Sequence, residues 1–128
     1  MLVNEIANHI KTLPFVDADT PVRVATLEAS EPKGIIVMTP LAGLLSNPEL
    51  PNYFRGNVRI VVRDNSPEAG DELAELLMTA MEVKGKALIL PNYKINQFIS
   101  VHLPIMYPRN DAGLYEHSLT FDCVSQRL

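Results

Sequence analysis

The chain has 128 residues, of which 47% are hydrophobic and 20% charged, with a formal net charge of −4. That size and balance fit one folded domain over residues 1–128 and argue against disorder. The mild charge with scattered basic residues disfavours a nucleic-acid binder at the level of the whole chain, and the lone Cys123 excludes an internal disulfide or a zinc thiol cluster.

The opening MLVNEIANHIKTL places Leu2, Ile6, Ile10 and Leu13 on one stripe, which predicts an amphipathic helix closed by Pro14. Glu5 and the polar residues at helical spacing make it neither a signal peptide nor a membrane span, so a soluble protein is expected. Two β-rich runs follow, Pro21 to Glu28 and Gly34 to Thr39. Ile35-Ile36-Val37-Met38 lacks polar alternation and reads as an interior strand covered on both faces. The segment Pro40 to Asn52 holds three prolines and four leucines, too broken for a long helix and too apolar for a solvated linker.

From Phe54 to Asp64 the pattern alternates, with Phe54, Val58, Ile60 and Val62 toward a core and Arg55, Asn57, Arg59, Val61 and Arg63 on the other face. Ser66-Pro67 opens the clearest helix, with a serine cap, proline in the first turn and Glu68, Asp71 and Glu72 where the helix dipole favours acids. Leu73, Leu76, Leu77, Ala80 and Met81 are its expected buried stripe, and Gly85 its expected stop. Strands are then expected at Ala87 to Leu90, at Phe98 to Tyr107 with Ile99, Val101, Leu103 and Ile105 sharing a face, and at Leu114 to Val124. Helices and strands do not alternate regularly. The fold class is therefore α+β, a mixed, mainly antiparallel sheet with two main helices packed on one side.

Little in the chain carries chemistry. His9, His102 and His117 have no paired spacing and no nearby ligand cluster, so no metal is expected. His117 and Cys123 share a strand face but lie ~20 Å apart, too far for a catalytic dyad. Cys123 alternates with Leu119 and Phe121 as a small core residue. The acids Glu68, Asp71, Glu72 and Glu75 are explained by their helix position. No phosphate-binding loop, dinucleotide fingerprint or nucleophile elbow appears, so neither an enzyme nor a cofactor is expected.

Two features ask for a partner. Arg55, Arg59 and Arg63 share one strand face, while Glu116 and Asp122 share the even-numbered face of the last strand. They pair across neighbouring strands, pair between copies, or form a solvated sheet face. Leu44 and Leu45 in the proline-rich segment either fold onto the core or anchor an interface.

The stretch MYPRNDAGLYEHSLTFDCV is a polar turn leading into a strand. Its Arg109-Asn110-Asp111-Ala112-Gly113-Leu114-Tyr115 and the following Leu119-Thr120-Phe121 resemble the C-terminal end of tail terminator proteins of long-tailed bacteriophages, the lambda type in particular. The resemblance runs from about Gly56 to the C-terminus, and the segment Pro40 to Asn52 has no counterpart in it. It implies a hexameric ring of copies that caps the tail tube, stops its growth and offers the head its joining surface. The implied partners are the chain itself, the tail tube protein and a head completion or connector protein, with no membrane and no sequence-specific nucleic acid. The implied place is the head-proximal end of the virion tail, after assembly in the host cytoplasm. Interface candidates are Arg55, Arg59, Arg63, Glu116, Asp122, Leu44 and Leu45, with Arg109 and Asp111 organising the turn or touching a neighbour. The competing expectation is a small enzyme or ligand-binding domain with a cleft near His102 and His117. A third is an adaptor that contacts nucleic acid through the arginine face.

Overall fold

Helix α1 (Leu2–Lys11) buries Leu2, Val3, Ile6, Ala7 and Ile10 along one stripe, as its spacing predicts. Thr12 closes it, its hydroxyl donating to the His9 carbonyl at 2.6 Å. The computed structural model describes residues 1–28, 31–39, 43–107 and 113–128. Strand β1 (Val22–Val24) stops where Ala25 takes a φ of 72°. Leu27 lies against Gly34, the first residue of β2 (Gly34–Met38), which runs parallel to β1.

The remaining strands are β3 (Leu45–Asn47), β4 (Leu50–Asp64), β5 (Leu88–Ile89), β6 (Tyr93–Ser100), β7 (Ile105–Tyr107) and β8 (Tyr115–Arg127), with helix α2 (Pro67–Ala80) between β4 and β5. They form one sheet in the order β1-β2-β4-β8-β6-β5, to which β3 adds on β4 and β7 on β8. Among the described residues every ladder but β1–β2 is antiparallel. The β4–β8 ladder is the spine, running from Tyr53↔Gln126 to Asp64↔Tyr115. Its inner face, Val58, Ile60 and Val62 with Leu119, Phe121 and Cys123, is fully buried with α1 and α2. Phe98 of β6 stacks on Phe121 with ring centroids 4.4 Å apart. Each such aliphatic or aromatic side chain contributes on the order of 1.5–3 kcal/mol by leaving water. The α+β expectation, with both helices on one side, holds.

Helix α2 begins as read: Ser66 is the cap, its hydroxyl accepting from the Ala69 N–H at 3.3 Å, and Pro67 occupies the first turn. Its buried stripe is Gly70, Ala74 and Leu77, continued by Met81, whereas Leu76 and Ala80 are exposed. It ends at Ala80 rather than near Gly85, because Val83 leaves the helix to bridge Phe98 with two backbone hydrogen bonds. Gly85, at φ 83°, instead makes the turn toward β5.

The expected strand from Phe98 to Tyr107 is two strands. β6 starts earlier, at Tyr93, and bends out of the sheet at residues 101–104 around Pro104 before β7. A register shift between Ile95 and Gln97 puts Ile95 and Phe98 in the core and leaves Val101, Leu103 and Ile105 exposed. The segment Pro40 to Asn52, expected to be irregular, includes a hairpin in which β3 pairs with the start of β4. Finally, the Glu5 carboxylate reaches from α1 to the turn before β6, accepting from the Asn92 backbone N–H at 2.7 Å and from Asn92 Nδ2 at 3.3 Å.

Candidate assembly surface

The face of the β4–β8 ladder turned away from the helices carries the charges. Arg63 lies directly opposite Glu116, and its guanidinium bonds one Glu116 carboxylate oxygen through Nε and Nη2, both at 3.2 Å. Its Nη1 donates to the Glu28 and Glu31 carbonyls. With a side chain only 7% exposed, Arg63 is a clamp that ties Glu28 and Glu31 to the sheet. Arg55, paired in register with Val124, reaches diagonally to Asp122 at 3.3 Å and leaves its side chain 72% exposed. Gln97 Nε2 also donates to Asp122, at 2.7 Å.

Arg59 differs. Its Nε donates to Ser118 Oγ at 2.8 Å and its Nη2 to the Tyr107 hydroxyl at 3.1 Å, with the guanidinium 5.7 Å from the Tyr107 ring centroid. Among the described residues no carboxylate lies within ion-pair distance of it. Two of the three arginines therefore have acids within the chain, and the third is held by neutral groups. This pairing also breaks up what would otherwise be a continuous basic stripe of the kind a nucleic-acid phosphate chain follows.

Arg59 borders a recess of about 260 Å³ lined by Met38, Thr39, Asn57, His102, Ile105, Tyr107, Ser118 and Thr120. His102 sits at its edge, with Nδ1 2.7 Å from the Leu103 carbonyl and Nε2 3.1 Å from Thr120 Oγ1. A carbonyl only accepts, so Nδ1 donates to Leu103, and the two contacts together hold the ring in one orientation at the edge of the recess.

His117 does not join it. It points to the opposite, helix-covered face, where Gly70 lies over its ring and Nδ1 has no hydrogen-bond partner. The expected cleft shared by His102 and His117 is thus overturned: the sheet separates them. Cys123 is buried on that same inner face, and burial pushes its thiol up to about 12. His9 on α1 is held below its ordinary value by partial burial. Among the described residues no three His, Cys, Asp or Glu side chains converge as a metal site would require. A further cleft of about 530 Å³ between the end of α1 and β1 mixes Lys11 and Arg23 with Asp17, Asp19 and Glu31.

Two apolar areas flank the charges. Along the bend after β6 and along β7, Val101, Leu103, Ile105, Met106 and Tyr107 are 41–70% exposed. At the far end of β4 the β3–β4 hairpin exposes Leu45 and Leu50, over a groove of about 610 Å³ that also includes Pro48, Tyr53 and Val124. Leu44 instead packs on the core cluster and over Gly56. Arg109 and Asp111 lie outside the described residues. Tyr107, Asn57, Ser118 and Thr120 were not singled out from the sequence. The last two could have been, since they share the even-numbered face of β8 with Glu116 and Asp122.

A comparison with curated proteins returned no match. A family model described as bacteriophage tail terminator protein matches residues 7–127. The match takes in residues 109–115 and 119–121, which carry the resemblance, and also the hairpin region that the resemblance left out. On a match over nearly its whole length, the chain belongs to the bacteriophage tail terminator protein family.

Proposed function

We propose that this protein forms a ring on the head-proximal end of the tail tube, ends tube polymerisation there and provides the surface to which the head is joined. The observation that carries this reading is the family match over residues 7–127. A structural rather than enzymatic role suits the family. The proposed partners are further copies of the chain, as a hexamer, then the tail tube protein and a head completion protein.

A ring of identical subunits needs two different complementary patches on each copy. The surface residues available for that purpose are Arg55, Arg59 and Leu45. Arg63, Glu116 and Leu44 are largely engaged within their own chain, and Asp122 is shared between Arg55 and Gln97. Arg109 and Asp111 remain candidates for the turn or a neighbour contact.

Electron microscopy of tail tubes assembled with and without the protein tests the reading. Tubes of uniform length with added density at one end are expected. Overlong tubes with bare ends in the presence of folded protein would sink it.

A further inference from the structure

Arg59 is a partly buried cation whose hydrogen bonds go to Ser118 and Tyr107, with no carboxylate beside it among the described residues. Such a group gains from a carboxylate brought in by a partner, through a charge-assisted hydrogen bond in place of neutral ones alone. Beside it the apolar strip of Leu103, Ile105 and Tyr107 is 41–70% exposed on a strand whose outer edge carries no ladder among the described residues. The occupant should therefore be a segment that presents an acid beside exposed apolar side chains.

The chain itself presents one. The β3–β4 hairpin turns through Asn47-Pro48-Glu49, with the Glu49 N–H bonded to Asn47 Oδ1 at 2.9 Å and its carboxylate unpaired among the described residues. Glu49 is exposed, and it is flanked by Leu45 at 66% and Leu50 at 50% exposure. This hairpin cannot reach its own recess. Leu50 and Arg59 are nine residues apart on one continuous strand, a separation of ~30 Å at roughly 3.3 Å per residue. The hairpin also adds to the β4 flank of the spine while β7 adds to the β8 flank. A contact between them must join two copies head to tail.

We infer that the β3–β4 hairpin of one copy docks on the next, with Glu49 in the Arg59 recess and Leu45 and Leu50 against the Leu103–Tyr107 strip. Each side of this contact sets exposed apolar side chains beside one charge, Leu45 and Leu50 with Glu49 on the hairpin and Leu103, Ile105 and Tyr107 with Arg59 at the recess, so the two patches complement each other in hydropathy and in charge. Because donor and acceptor patches differ, an open chain of copies keeps one of each free at its two ends until the ring closes. The inference rests on the ring reading above and supplies its contact.

The test uses Ser46→Cys with Val101→Cys in one chain, exposed positions beside the contact that leave Glu49, Arg59 and the Leu103–Tyr107 strip in place. Cys123 is fully buried and does not compete for reagent. The engineered thiols are joined by a short bismaleimide on capped tubes, since a disulfide needs Cβ atoms within about 4 Å. The expected product is a denaturant-resistant ladder of multimers, absent from either single-cysteine variant. Glu49→Lys, an exposed change that leaves the core untouched, is expected to lose the end density. Capped tubes that give no ladder, or capping by Glu49→Lys equal to that of the unaltered protein, would overturn this contact while leaving the ring reading standing. A cross-link to the tube protein in place of a second copy would overturn the choice of occupant. Bare tubes with the unaltered protein would remove both.

Discussion

Gly70 of α2 lies directly over the imidazole of His117 on β8: a Cβ placed on residue 70 would stand 2.7 Å from Nδ1 and 2.8 Å from Cε1. The missing side chain is what lets the helix approach the sheet at this point, and the close approach in turn seals His117, at 1% exposure. Neither residue is free to change alone.

Gly70→Ala is therefore expected to destabilise the fold by about 1–3 kcal/mol, the usual cost of overpacking, although alanine is the better helix former. His117→Ala in the same chain should return part of that loss by removing the ring that the methyl group strikes. Denaturant unfolding of the two single variants and the double variant measures the coupling. Strict additivity would mean that α2 moves away from the sheet rather than colliding with it.

Arg63 and Arg55 look equivalent in the sequence, and the structure makes them opposites. Arg63 holds Glu116 and two backbone carbonyls from a buried position, so Arg63→Ala should cost on the order of 3 kcal/mol, by stripping partners from Glu116 and from the Glu28 and Glu31 carbonyls. Arg63→Lys should recover little, because an ammonium has no planar fork to span the carboxylate and the carbonyls together. Arg55→Ala, at a 72% exposed side chain, should cost less than about 1 kcal/mol. Thermal melts of the three variants check the order. A charge reversal at Arg63 thus probes folding, whereas one at Arg59 or Glu49 probes assembly.

That difference shows where reading a single sequence runs out. The start of α2 was legible because Ser66, Pro67 and Glu68 act locally, through a cap, a fixed φ and the helix dipole. The two-faced character of β4 and β8 was legible because alternation along a strand is local too. The partners of the arginines depend on register, and the pairing of Arg63 with Glu116 spans 53 residues. The single strand expected from Phe98 to Tyr107 failed for a physical reason: the chain bends at residues 101–104 around Pro104, and the register shift between Ile95 and Gln97 breaks the period of two inside β6, whose start at Tyr93 the alternation therefore does not reveal. The β3–β4 hairpin was hidden by its prolines, although Asn47-Pro48 is itself a turn signal. His102 and His117 were grouped by proximity in sequence order, which says nothing of the sheet between them.

Glu5 offers a further check on long-range pairing. It sits in the buried stripe of α1 at 8% exposure, an unusual place for an acid, and its two carboxylate oxygens are taken by the backbone and side-chain amides of Asn92. Asn92 in turn accepts from the Leu128 N–H at 2.9 Å through its carbonyl, so one carboxylate ties α1 to the turn before β6 and to the chain end. Glu5→Ala should lose about 1.5–3 kcal/mol, the range for hydrogen bonds to a charged group. Hydrogen exchange at Asn92 should rise with it. Protection there equal to that of the unaltered protein would show that the turn is held without the carboxylate.

Cys123 gives the fold an alkaline limit that can be measured. Burial, with the nearby Asp122 charge adding to it, raises the thiol from its ordinary 9.0 to about 12. The folded state therefore keeps the proton that the unfolded state gives up. The stability that this confers is complete below pH 9.0 and is lost as the pH climbs from there toward about 12. Cys123→Ala removes the titration, at the cost of a small cavity beside Leu119 and Phe121 that is the same at every pH. The difference in unfolding free energy between the unaltered protein and the variant should consequently shrink as the pH rises above 9.0. Other groups that titrate in the same range act on both proteins and cancel in the difference. Thiol reagents should modify Cys123 at a rate that follows global unfolding, since the thiolate they require forms only when the inner face of the sheet opens. A pH-independent difference, or fast labelling under native conditions, would mean that the β4–β8 spine opens locally around Cys123 while the rest of the sheet stays closed.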